Sequence, residues 1–140
     1  MTQPSFDSFR AKPYQDSGKV WTVGYGSVIS ADQAEQMKSG ITQDTAKKMF
    51  QNYVDGLVKK LSACPLAGFQ QWQYDAIICL SYNLGFEQFH GSDVYKQLIV
   101  RNGNLSAWLL YVHDSRGHFD EGLLMRRMKE LKLFVYGLYS

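Results

Sequence analysis

From Thr42 onward the apolar residues of this chain return every three or four positions. Ala46, Met49, Phe50, Tyr53, Val54, Leu57, Val58 and Leu61 fall on one face of a helix that Thr42 can cap. A stripe of that period must be covered by other elements, so it reads as a core face rather than a ligand groove. Before it the pattern is different. Ser17-Gly18 reads as a turn and Val20, Trp21, Thr22 and Val23 as a strand. Gly24 and Gly26 flank Tyr25 and leave bare backbone on one face, useful where a ligand approaches closely. Upstream again, Pro4 suits the first turn of a short helix carrying Asp7 and ending before Pro13.

Downstream the reading stays helical. Ala63 to Gly68 breaks the chain, and a more apolar helix runs from Phe69 to Tyr82, ended by Asn83-Leu84-Gly85. Ser92-Asp93 starts a helix through Val100, Asn102-Gly103-Asn104 is a turn, and Leu105 to Val112 is a further apolar helix. His113 to Glu121 is a polar loop, and Gly122 to Gly137 a basic amphipathic helix. The expected class is α+β, predominantly α: one domain over residues 1–140, with a small N-terminal β-hairpin lobe before a helical body.

Bulk properties narrow the function. A net charge of +2 is too weak to argue for nucleic acid. Cys64 and Cys79 form no ligand cluster, and His90, His113 and His118 are scattered, so no metal or other cofactor is expected. No apolar run reaches the roughly 18 residues of a membrane span. The first residues carry neither a basic nor an apolar leader region. The expectation is a protein made in the cytoplasm, with no membrane partner, acting as a monomer.

Two carboxylates and a hydroxyl lie close in sequence. Eight residues separate Asp7 from Asp16, and five separate Asp16 from Thr22. Glycosidic hydrolysis needs an acid for the leaving oxygen and a second group to aim water at the anomeric carbon. Asp7 facing Asp16, with Thr22 one strand over, has the makings of that set. The plainer alternative is an Asp16 that bonds turn amides and a Thr22 that favours a strand.

The blocks Arg10-Ala11-Lys12-Pro13-Tyr14-Gln15-Asp16, Val20 to Gly26, Tyr82-Asn83-Leu84-Gly85 and Gly122 to Phe134 resemble, in order, those of the phage-type lysozymes, the endolysin muramidases. The resemblance covers nearly the whole chain. It implies a lysozyme-like fold with a cleft between the small β lobe and the helical lobe. It implies a catalytic set of Asp7, Asp16 and Thr22, with Arg126 pairing with Asp7, and contacts to the glycan or its peptide from Gly26, Asn83 and Ser92. Bacterial peptidoglycan is the substrate so implied, reached after holin-dependent release from the host cytoplasm to the periplasmic wall.

The sequence departs from the family at the acid. Members carry glutamate where this chain has Asp7, and Ser8, Ser27 and Tyr111 stand in place of the usual glycine, histidine and tryptophan. One methylene fewer withdraws the carboxyl by about 1.5 Å, a displacement that can cost about a hundredfold in rate. Pairing with Arg126 would also favour the ionised form, while a general acid must be protonated. Besides hydrolysis, this leaves a catalytically silent fold that binds glycan or a protein partner, and a lytic transglycosylase that needs no positioned water. Arg127 and Lys129 read as solvated residues of the basic helix.

Overall fold

The glycine-punctuated run folds as a three-stranded antiparallel sheet in the order β1-β2-β3, in a computed structural model that describes residues 9–16, 18–114 and 116–139. β1 is Arg10–Gln15, β2 Trp21–Gly24 and β3 Ser27–Val28. Tyr14 pairs with Thr22 and Gln15 with Trp21, while Thr22 and Val23 pair onward with Val28 and Ser27. The sheet is therefore one strand larger than the expected hairpin. Residues 10–12, placed above in a helix, belong to β1. Lys12 precedes Pro13, and the residue before a proline is driven to extended backbone. Pro13 has no N–H for the ladder, and the pairing is irregular between Arg10 and Tyr14. The start of that expected helix, with Asp7, lies outside the described residues.

Contacts group into two compact units, one running to Asp55 and the other from Gly56. In the first unit, Ser30 caps α1 (Ala31–Gln36), accepting from the Gln33 N–H at 3.1 Å while its own N–H donates to Gln33 Oε1 at 2.9 Å. This reciprocal box satisfies two orphan donors at the helix start. Val23, Ile29 and Ala34 are buried at the centre of the unit, with Trp21, Met37, Ile41 and Met49 against them. Gly24 has φ +69°, and a Cβ there would sit 2.9 Å from the Ala46 Cβ. The close approach that its bare backbone permits is thus made by helix α2 (Gln43–Ser62), not by a ligand.

Thr42 caps α2 as expected, its Oγ1 accepting from the Thr45 N–H at 3.1 Å. Ala46, Val54, Leu57 and Leu61 are buried, but Tyr53 and Val58 remain 43% and 41% exposed. The apolar stripe is wider than the face that is covered.

The second unit is built on α3 (Gln71–Leu84), whose Ala76, Ile77 and Leu80 are fully buried. α6 (Glu121–Tyr136) lies along it. On α6, Phe134 meets Trp108 and Phe69 with ring centroids 5.3 and 5.6 Å apart. Gly85, at φ +85°, ends α3 and starts α4 (Phe86–His90). α5 (Asp93–Val100) follows. Cys79 on α3 and Cys64 both carry free thiols. Burial, reinforced by the Glu130 and Asp75 carboxylates, pushes the Cys79 thiol up to about 12.

The helix expected over Leu105–Val112 is a single 3-10 stretch, Ser106–Leu110. Side chains take its first amides: Asn104 Oδ1 accepts from Ser106 at 3.1 Å and Gln97 Oε1 from Ala107 at 3.0 Å. Ala107 and Trp108 are buried while Leu109 and Leu110 face solvent, so burial rewards one turn and no more.

The polar loop that follows closes on Asp114, between His113 and Phe119, which form a β-bridge. Asp114 Oδ1 accepts from the amides of Arg116 and His118 at 2.9 and 3.0 Å, and Oδ2 from Arg116 Nη2 at 3.0 Å. The His118 amide first, then the Arg116 guanidinium, lower the Asp114 carboxyl to about 2. The folded value lies below the unfolded one of about 3.9, so the ionised form favours the loop. That contribution is complete above about pH 4 and is lost as the pH falls towards 2. The amide resonances of Arg116 and His118 should therefore titrate with a midpoint near 2; a midpoint near 4 would contradict the assignment.

Candidate active site

Asp16 follows directly on β1, and its turn is tightly drawn. The Asp16 N–H donates to Val20 O at 3.0 Å, and the Lys19 N–H donates to Asp16 O at 2.9 Å with Lys19 at φ +60°. Asp16 Oδ1 accepts from the amides of Gly18 at 2.8 Å and Val20 at 2.9 Å. The plainer role expected for Asp16 is therefore filled, but by one oxygen alone. Among the described residues no group donates to Oδ2, and Asp16 is exposed.

Thr22 sits on β2 opposite Tyr14. It is 6% exposed and its hydroxyl donates to Val20 O at 3.0 Å. The oxygen keeps its acceptor capacity. Carboxylate and hydroxyl thus both lean on Val20, one on its N–H and the other on its carbonyl. Gly26, at φ +88°, lies in the turn just before β3. Beside it the Tyr25 ring lies 5.6 Å from that of Phe9, and its hydroxyl accepts from Gln43 Nε2 at 2.9 Å.

Asn83, Ser92 and Arg126 belong to the second unit. Ser92 does not fit the contact expected of it. It is 4% exposed, and its hydroxyl donates to Phe89 O at 2.6 Å and accepts from the Tyr95 N–H at 3.1 Å. The hydroxyl is committed to capping α5. Arg126 is half-buried on α6.

Arg127 is the clearest correction. Expected in solvent, it is 0% exposed. Its Nε lies 2.7 Å from Glu130 Oε1 and its Nη2 donates to Glu130 Oε2 at 2.9 Å. Nη2 also donates to Asn83 Oδ1 at 2.9 Å and Nη1 to Tyr111 O at 3.4 Å, while Trp108 Nε1–H donates to Glu130 Oε1 at 3.1 Å. Burial pushes the Glu130 carboxyl above its ordinary range, and the Arg127 guanidinium and the Trp108 indole oppose that shift. Leu123, Arg127, Glu130 and Phe134 recur at four-, three- and four-residue steps, one inward stripe. That spacing was the available signal for a buried pair.

A family model described as phage lysozyme matches residues 4–130. The chain belongs to the phage lysozyme family. The endolysin of Salmonella phage P22 is 33% identical over 132 residues, 90% of this chain and 87% of that relative. Among solved structures, an endolysin from Escherichia coli O157:H7 phage FAHEc1 superposes with a TM-score of 0.81 at 23% identity, over 96% of this chain and 89% of that one. A lysozyme variant from phage P22 superposes at 0.71 with 28% identity, over 96% and 99%. The expected fold is therefore present: mostly helical, lysozyme-like, with a small antiparallel sheet. Like other phage lysozymes, the chain is a glycoside hydrolase of the endolysin type. Its family match runs across both units.

Proposed function

We propose that Asp7, Asp16 and Thr22 form the hydrolytic set of a single-domain peptidoglycan muramidase. The bond cut is the β-1,4 linkage between N-acetylmuramic acid and N-acetylglucosamine. The observation that carries this reading is the division of labour at Asp16. One carboxylate oxygen holds the turn and fixes the side chain, and the other has no partner among the described residues. An anchored carboxylate with an open oxygen, near a buried threonine acceptor, suits the holding of a water for attack at the anomeric carbon. Asp7 takes the acid's part, and Arg126 orients it.

Gly26 and Asn83 are retained as contacts to the glycan strand, and Ser92 is not. No helix among the described residues is long and apolar enough to cross a membrane. The protein works as a monomer and reaches the wall through a lesion that a holin makes in the membrane.

The test is sugar release from purified cell wall across pH 4–8. Wild type should release reducing ends, and Asp7→Glu should raise the rate by up to about a hundredfold by restoring the missing reach. Background release by wild type with activity in Asp7→Glu would overturn turnover by this chain, and background release by both would mean the site has drifted by more than one side chain. Anhydro-sugar ends in the products would replace hydrolysis with transglycosylation.

A further inference from the structure

Asn83 lies in the last turn of α3 with its amide oxygen 2.9 Å from Arg127 Nη2. A guanidinium only donates, so this contact decides which end of the amide faces inward. The oxygen is turned in and the nitrogen out. Among the described residues the nitrogen donates to no other group. The cation is itself braced: Nη2 donates to Glu130 Oε2 and Nη1 to Tyr111 O, Nε lies 2.7 Å from Glu130 Oε1 as an ion pair without a hydrogen bond, and the Trp108 indole donates to that same Oε1. Arg127, Glu130 and Trp108 are at most 1% exposed, whereas Asn83 is half-buried.

A buried ion pair adds little to stability over an apolar pair of similar volume. An unbraced asparagine can rotate its amide and offer either an acceptor or a donor. The braced one offers only a donor.

We infer that Arg127 and Glu130 are positioning residues that lock Asn83 as an N–H donor, and that its partner is a carbonyl oxygen of the glycan strand. This rests on the muramidase reading. The carbonyl belongs either to an acetamido group of the sugar or to the attached peptide. Both present the same uncharged acceptor, and the substrates below separate them.

The experiment is steady-state kinetics on soluble peptidoglycan fragments, with and without peptide. Asn83→Asp keeps an oxygen for Arg127 but exchanges the donor for a carboxylate oxygen. KM should rise about tenfold or more, as for loss of one hydrogen bond to a group left unpaired. The kcat should stay within about twofold, and the melting temperature should not fall. Arg127→Met with Glu130→Leu removes the brace at similar volume. KM should again rise, and adding Asn83→Ala to that background should raise it no further.

A wild-type KM in Asn83→Asp would overturn the inference. So would a wild-type KM in the braceless pair when Asn83→Ala alone raises it. An equal effect on both substrates assigns the carbonyl to the sugar, and an effect confined to the peptide-bearing one assigns it to the peptide. If wild type cleaves neither fragment, the muramidase reading falls. The inference is then decided by calorimetry of fragment binding, where the same variants should weaken Kd by the same factors.

Discussion

Arg127→Met should lower stability by about 3–5 kcal/mol, because it leaves the Glu130 carboxyl buried without its cation. In a chain of this size the melting temperature would drop by roughly 10–15 °C. The loss has a sign in pH as well. Glu130 already stands above its ordinary value through burial, and without Arg127 it must rise further. A carboxyl with a raised folded value stabilises only while protonated, so the variant should be worse at pH 7 than at pH 5. Replacing both partners, Arg127→Met with Glu130→Leu, should bring stability back to within about 1 kcal/mol of wild type or above it. Denaturant unfolding at the two pH values measures all of this. A single variant as stable as wild type at pH 7 would mean that Glu130 reaches water in a way its 1% exposure does not allow.

Gly24→Ala should cost about 3 kcal/mol, from two separate causes. The residue sits at φ +69°, which charges an L side chain about 1–2 kcal/mol. The new methyl would also meet the Ala46 Cβ at 2.9 Å, and overpacking of this kind costs about 1–3 kcal/mol. The contact partner supplies the control. Ala46→Gly in the Gly24→Ala background removes the clash but not the backbone strain. It also puts a glycine into α2 at a cost of about 1 kcal/mol. A positive coupling between the two positions in thermal unfolding is therefore the expected result, and strict additivity would exclude the contact.

What could be read from the sequence was local. Thr42 and Ser92 each cap their helix because a hydroxyl needs only an amide three residues on. The turn at Asp16 and the strand at Thr22 were legible for the same reason, since each spans only a few residues. α1 is equally local, with Ser30 and Gln33 at the spacing of a capping box. β3 is two residues long, too short for any period to show.

The burial of Arg127 has one weak local sign, its helical spacing with Leu123, Glu130 and Phe134, and the partners that decide it are remote. Asn83 lies 44 residues away and Trp108 is 22 residues from Glu130. Charges on an otherwise basic helix read as solvated until the fold brings such partners in. The apolar run at 105–112 failed the other way. Its hydrophobicity was real, but Leu109 and Leu110 had nothing to bury against.

The state of Cys79 bears on where such a protein can work. Burial and the neighbouring Glu130 and Asp75 carboxylates hold the Cys79 thiol in its protonated form at neutral pH, and the thiolate is the form that reacts. Cys79 is therefore a weak nucleophile, slow to enter thiol exchange. Of the two free cysteines, it is the one that the fold itself keeps as a thiol when the surroundings turn oxidising.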